Sequence, residues 1–95
     1  MPAQQYRKRP VVVEAIRFTG GNIADISRFT GHGKTGPGVE TVHFYSHLPG
    51  KFKVWNESHR DWNVVNIGDW IIRGTAGEFY PCEPDIFKAT YERVS

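Results

Sequence analysis

Four histidines, one cysteine and a scatter of carboxylates are the side chains in this sequence that could bind a metal or move protons. His43 and His47 stand at i and i+4, the spacing that gathers two imidazoles on a helix. The surrounding Val39-Glu40-Thr41-Val42-His43-Phe44-Tyr45 is β-branched and aromatic and predicts a strand, where side chains four apart do not converge. His32 and His59 lie elsewhere, so no metal site is expected. Cys82 needs a positioned base to become a nucleophile, and no local signature supplies one; a structural thiol is expected. Glu14, Asp69 and Glu78 could form a carboxylate pair for acid–base work, but no spacing selects two of them. Gly33-Lys34-Thr35 invites comparison with a phosphate-binding P-loop. That motif needs a glycine where Arg28 stands and a helix where Pro37 and Gly38 follow, so Gly31–Gly38 reads as a surface loop. No catalytic set and no cofactor is expected, which favours a binding protein over an enzyme.

Aromatic and cationic residues form the other chemical set. Trp55, Trp62, Trp70 and Tyr80, with Arg17, Arg60, Arg73 and Lys88, are the residue types that stack on a base and hold its phosphate. They are also what a small core and its surface pairs would use. The candidate ligand-binding residues are Glu14, Arg17, Trp55, Trp62, Asp69, Arg73, Tyr80 and Lys88. Glu14 has two readings, a ligand contact in a partly buried pocket or a structural partner of an arginine or lysine.

These side chains must be positioned by strands and short helices. Val11 to Phe18 predicts a central strand with Glu14 on the same face as Val12, Ile16 and Phe18. Asn22 with Asp25 predicts a helix start, Ile23, Ile26 and Phe29 or Thr30 its buried side, and Gly31 its stop. Strands are predicted over 39–45, 52–56 and 61–65, with turns over 48–51 and 57–60. A hairpin then turns on Gly74-Thr75-Ala76-Gly77. That turn sets Arg73 opposite Glu78, Ile72 opposite Phe79, Ile71 opposite Tyr80 and Trp70 opposite Pro81, with Trp70, Ile72 and Phe79 facing the core. Pro84 opens a two-turn helix whose buried side would be Ile86, Phe87, Thr90 and Tyr91. The expected fold is α+β, a small, mostly antiparallel curled sheet or partial barrel of about five to seven strands with two short helices. The expected organisation is a single domain over 1–95, with 1–9 a flexible basic arm.

The run NIGDWIIRGTAGEFYPCEPDIFKATYE, Asn66 to Glu92, resembles the C-terminal signature of a family of small phage and prophage proteins, and Tyr6 to Gly20 resembles the same family's opening. The two stretches cover a little under half of the chain. The resemblance implies a phage accessory protein and no activity, since no catalytic residue set defines the family.

The bulk properties bound the function. The chain has 95 residues, 39% hydrophobic and 23% charged, as ordinary folded proteins do, and 14% aromatic, which is high. A net charge of +2 is far from the footprint of a dedicated DNA-binding domain, so nucleic acid is permitted but not indicated. The lone cysteine fits a reducing compartment, and neither a membrane span nor a signal peptide is visible. The expectation is a non-enzymatic phage protein in the host cytoplasm that binds a small anionic nucleotide-like ligand, of the kind that disarms bacterial defence, as a homo-oligomer. The alternatives are an inhibitor of a host protein and a nucleic-acid-binding accessory protein.

Overall fold

The computed structural model describes residues 2–31, 41–45 and 50–94. Readings placed on His32, the Gly33–Gly38 stretch, Val39, Glu40, His47, Leu48 and Pro49 lie outside the described residues. The fold is α+β: β1 (Glu14–Arg17), α1 (Ile23–Thr30), β2 (Val42–Phe44), β3 (Lys51–Asn56), β4 (Asp61–Asn66), β5 (Trp70–Arg73), β6 (Phe79–Cys82) and α2 (Pro84–Thr90). Among the described residues, six strands form two antiparallel three-stranded sheets, ordered β1-β5-β6 and β2-β3-β4, in place of one curled sheet.

The core lies between the two sheets and under α1. Phe18, Ile26, Val42, Phe52, Val54, Val65 and Ile71 are all fully buried there. Phe18 meets Phe52 edge-to-face at 4.8 Å, and Phe29 of α1 meets Phe79 at 5.7 Å. The β3–β4 hairpin follows its period of two. Phe52, Val54 and Asn56 point inward, while Lys51, Lys53 and Trp55 point outward. Helix α1 stops at Gly31, whose φ of 69° is the left-handed conformation that glycine adopts without strain.

β5, not β1, is the central strand of its sheet. Ile71 and Ile72 are both buried because β5 is covered on both faces. One face carries Ala15, Ile72 and Tyr80 in one cross-strand row and Arg17, Trp70 and Cys82 in the next, and α2 covers it, with Phe87 stacked on Trp70 at 4.1 Å. The opposite face carries Ile16, Ile71 and Pro81, then Glu14, Arg73 and Phe79, and turns toward α1.

The β5–β6 register is one residue from that expected: Phe79 pairs with Arg73, Tyr80 with Ile72, Pro81 with Ile71 and Cys82 with Trp70. The Gly74 N–H donates to the Glu78 carbonyl at 2.8 Å and the Gly77 N–H to the Gly74 carbonyl at 3.0 Å, so Glu78 belongs to the loop. The slip puts Phe79 on the Ile71 face, away from Trp70 and Ile72. Val11 to Val13 precede the strand, with Val12 76% exposed, and Glu14 is exposed, because β1 is an edge with one paired neighbour. On α2, Ile86 and Thr90 are exposed, since a two-turn helix lying on the sheet through Phe87 and Tyr91 leaves its other side open.

Candidate functional site

The eight candidate residues do not converge on one site. Arg17 donates from Nε to the Gly68 carbonyl at 3.1 Å, tying β1 to the turn before β5. Asp69 closes that turn. Its Oδ2 accepts the Asn66 N–H at 2.9 Å while its own N–H donates to the Asn66 carbonyl at 3.0 Å, and Gly68 supplies the positive φ of 97°. Arg73 is not beside Glu78. Its guanidinium donates to Glu14 at 3.1 Å and to the Phe29 carbonyl at 2.7 Å, and lies about 5 Å from the Phe29 and Phe79 rings. Phe29 O is one of the carbonyls that the end of α1 leaves without a helical partner, so Arg73 caps that helix. Glu14 thus has in Arg73 the kind of partner that the structural one of its two readings expects. Lys88 is exposed on α2.

The three carboxylates considered for acid–base work are separated. Glu14 is tied to Arg73 at one end of β5 and Asp69 is enclosed by its turn at the other, about 13 Å away at the rise of a strand. Only Glu78 opens into a cleft. Among the described residues no group of three or more His, Cys, Asp or Glu is placed to hold a metal ion, and no helix is long and apolar enough to cross a membrane.

Two surfaces among the described residues gather aromatic or polar side chains of the candidate types. The first is the outer face of the β2-β3-β4 sheet. The Glu57–Arg60 turn sets Trp55 directly opposite Trp62, with ring centroids 5.4 Å apart and half-buried rings. Trp55 Nε1 donates to Glu57 at 2.6 Å, Arg60 pairs with the same carboxylate at 3.0 Å, and Lys53 Nζ stands 5.0 Å from the Trp62 ring centroid. Lys51 follows two residues along on the same face, exposed. The result is two tryptophan rings inclined at 62°, with Lys53 over the Trp62 ring, which groups aromatic and cationic side chains of the types that stack a base and meet its phosphate. Lys51 and Lys53 were not among the sequence candidates. The alternation Lys51, Lys53, Trp55 against Trp62 carries the signal once the two strands are paired across their turn.

The second surface is a polar cleft of about 410 Å³ between the β3–β4 hairpin and β6, bordered by Asn56, His59, Asp61, Asn63, Glu78 and Tyr80. Asn56 is buried and accepts the His59 N–H at 3.1 Å, which shapes the hairpin end. Glu78 folds back over Gly74, where a Cβ would collide with its carboxylate, and its Oε2 is buried without a hydrogen-bond partner. Burial, with Tyr91 hydrogen-bonded beside it and carboxylate charge nearby, pushes the Tyr80 phenol up to about 12. Burial and the neighbouring Asp69 and Glu83 raise the Cys82 thiol, which holds it in its unreactive form.

Models of known families, curated proteins and solved structures yield no match to this chain. The functional reading therefore rests on the two surfaces.

Proposed function

We propose that this is a non-catalytic binding protein whose ligand is a small anionic nucleotide, stacked on the Trp55–Trp62 platform with its phosphate against Lys51 and Lys53. The observation that carries the reading is the cross-strand tryptophan pair, held by Glu57 and open to solvent on the outer sheet face with Lys53 beside it. Stacking one base on an aromatic side chain is worth about 1–3 kcal/mol, and a lysine beside it adds charge where the phosphate lies. The platform is shallow, so a second copy supplying the opposite wall would complete the enclosure that a ligand needs. The sequence-level resemblance of residues 6–20 and 66–92 to phage proteins supports, in this reading, a sequestering agent that acts in the cytosol of a phage host. The sequence-level alternatives, inhibition of a host protein and nucleic-acid binding, would use the same half-buried tryptophans.

Tryptophan fluorescence during titration with mono-, di- and cyclic nucleotides tests the proposal. Saturable quenching that is lost in Trp62→Ala and weakened in Lys53→Ala is the expected result. No quenching by any nucleotide, with retention of one host protein that Trp62→Ala abolishes, would transfer the platform to a protein partner. Retention on single-stranded DNA that falls steeply with salt would transfer it to nucleic acid.

A further inference from the structure

We propose that two copies of this chain pair edge to edge through residues 7–15, each extending the β1 strand of the other in antiparallel fashion about a two-fold axis at Val11. This goes beyond the nucleotide reading and does not depend on it. β1 is the edge of its sheet, with β5 on one side only. The Phe18 N–H donates to the Asp69 carbonyl at 2.9 Å, so in the β1–β5 register the backbone groups of Phe18, Ile16 and Glu14 turn toward β5. Those of Arg17 and Ala15 turn outward. The Asn22 side chain donates to the Arg17 carbonyl at 2.7 Å, but Ala15 has no such partner among the described residues. Before it, Val11-Val12-Val13 has strand composition and pairs with nothing, because β5 ends at Arg73 and the Gly74 N–H donates instead to the Glu78 carbonyl. An uncapped edge that continues into a β-branched run, with Val11 and Val12 exposed, is a template for strand addition.

The charges along this run make a second copy its partner and fix the register. In an extended strand the backbone groups of Val13, Val11, Arg9 and Arg7 continue the outward set of Ala15, while Pro10, which has no N–H to donate, falls on the other side. A two-fold axis at Glu14 sets Glu14 against itself, one at Val13 sets Arg17 against Arg9, and one at Val12 sets Arg17 against Arg7. Like charges directly opposite are destabilising. An axis at Ala15 needs the Arg17 carbonyl that Asn22 occupies. An axis at Val11 sets no like charges opposite each other: Lys8 of one copy faces Glu14 of the other, and Arg17 faces Gln5. Both members of that pair are open to it. Lys8 makes no ion pair among the described residues, and the Glu14 side chain is 69% exposed, with Arg73 on its Oε1. The two-fold repeats the Lys8–Glu14 pair on each side of the axis, which is the self-complementary arrangement of most homodimers.

Disulfide cross-linking of the full chain tests the contact and its register together, in a Cys82→Ser background so that only the introduced thiol reacts. Facing α-carbons of a hydrogen-bonded antiparallel pair stand about 5.5 Å apart, within reach of a disulfide. With the axis at Val11, the two copies of position 13 are offset by about 14 Å along the strands. Val11→Cys should therefore oxidise to a covalent dimer about tenfold or more faster than Val13→Cys. Sedimentation equilibrium of the otherwise unaltered chain should show a dimer. Its dissociation constant should rise about tenfold in Lys8→Glu, a change outside the core that sets like charges opposite each other twice per dimer, and should return toward the wild-type value in Lys8→Glu/Glu14→Lys. A monomer at every concentration overturns the proposal, as does a Val13→Cys chain that links as fast as Val11→Cys. A Lys8→Glu chain that associates as tightly as the wild type, or a double exchange that restores nothing, overturns it as well.

Discussion

Replacing Arg73 with methionine removes a guanidinium that serves three partners but keeps most of the apolar stem. The charge-assisted hydrogen bond to the Phe29 carbonyl is the strongest of the three, worth roughly 1.5–3 kcal/mol. The contacts with the Phe29 and Phe79 rings add about 0.5–1 kcal/mol each at a partly exposed site. The Glu14 pair adds between about 0 and 1 kcal/mol, because the Glu14 side chain is 69% exposed and screened by water. These terms share one side chain and do not sum, so Arg73→Met should cost about 2–4 kcal/mol while Glu14→Gln costs less than about 1 kcal/mol. Urea denaturation gives both values from the shift in midpoint at unchanged slope. Equal costs for the two variants would refute the reasoning, since they would make the Glu14 ion pair, and not the end of α1, the principal partner of Arg73.

The core and the β5–β6 loop give further expectations. Phe52→Ala, at a fully buried site against Phe18 and Phe44, should cost about 3–5 kcal/mol in the same assay. Gly74→Ala should cost little, because the new Cβ meets only the end of the Glu78 side chain, which can swing aside. The Tyr80 phenol titrates near 12 when folded against 10.0 for the free group, so its contribution is fully present below pH 10. Stability should fall as the pH rises from 10 toward 12, and Tyr80→Phe should remove that part of the slope in midpoints measured against pH. Cys82 should react with iodoacetamide at pH 8 more slowly than free cysteine, and at the free rate once the protein is unfolded in urea.

Local signals in the sequence reached the elements better than their pairings. Gly31 ended α1 and Pro84 opened α2 because one residue's backbone preference decides each boundary. The β3–β4 hairpin was legible because Phe52 and Val54 alternate with Lys51 and Lys53 and the polar run Glu57–Arg60 separates two β-rich stretches. The β5–β6 register was not, because glycines at 74 and 77 allow either loop length and a hydrogen bond to the Glu78 carbonyl decides it. The valines at 11–13 have strand composition but no partner strand, and composition alone does not show where pairing begins. At the candidate site, Trp55 and Trp62 were legible by type. Arg17, Asp69 and Arg73 were placed with them only because charge is visible in a sequence, whereas the backbone groups that occupy those side chains are not.

Thermal unfolding of the wild type and Trp62→Ala against a nucleotide panel tests the central claim most directly, because it reads binding without assuming which ring responds. At about 100 times its dissociation constant, a nucleotide held on the Trp55–Trp62 platform should add about 2.7 kcal/mol of stability to the wild type. The same nucleotide should add nothing to Trp62→Ala. An equal gain in both proteins, or no gain in the wild type with any nucleotide, would contradict the claim.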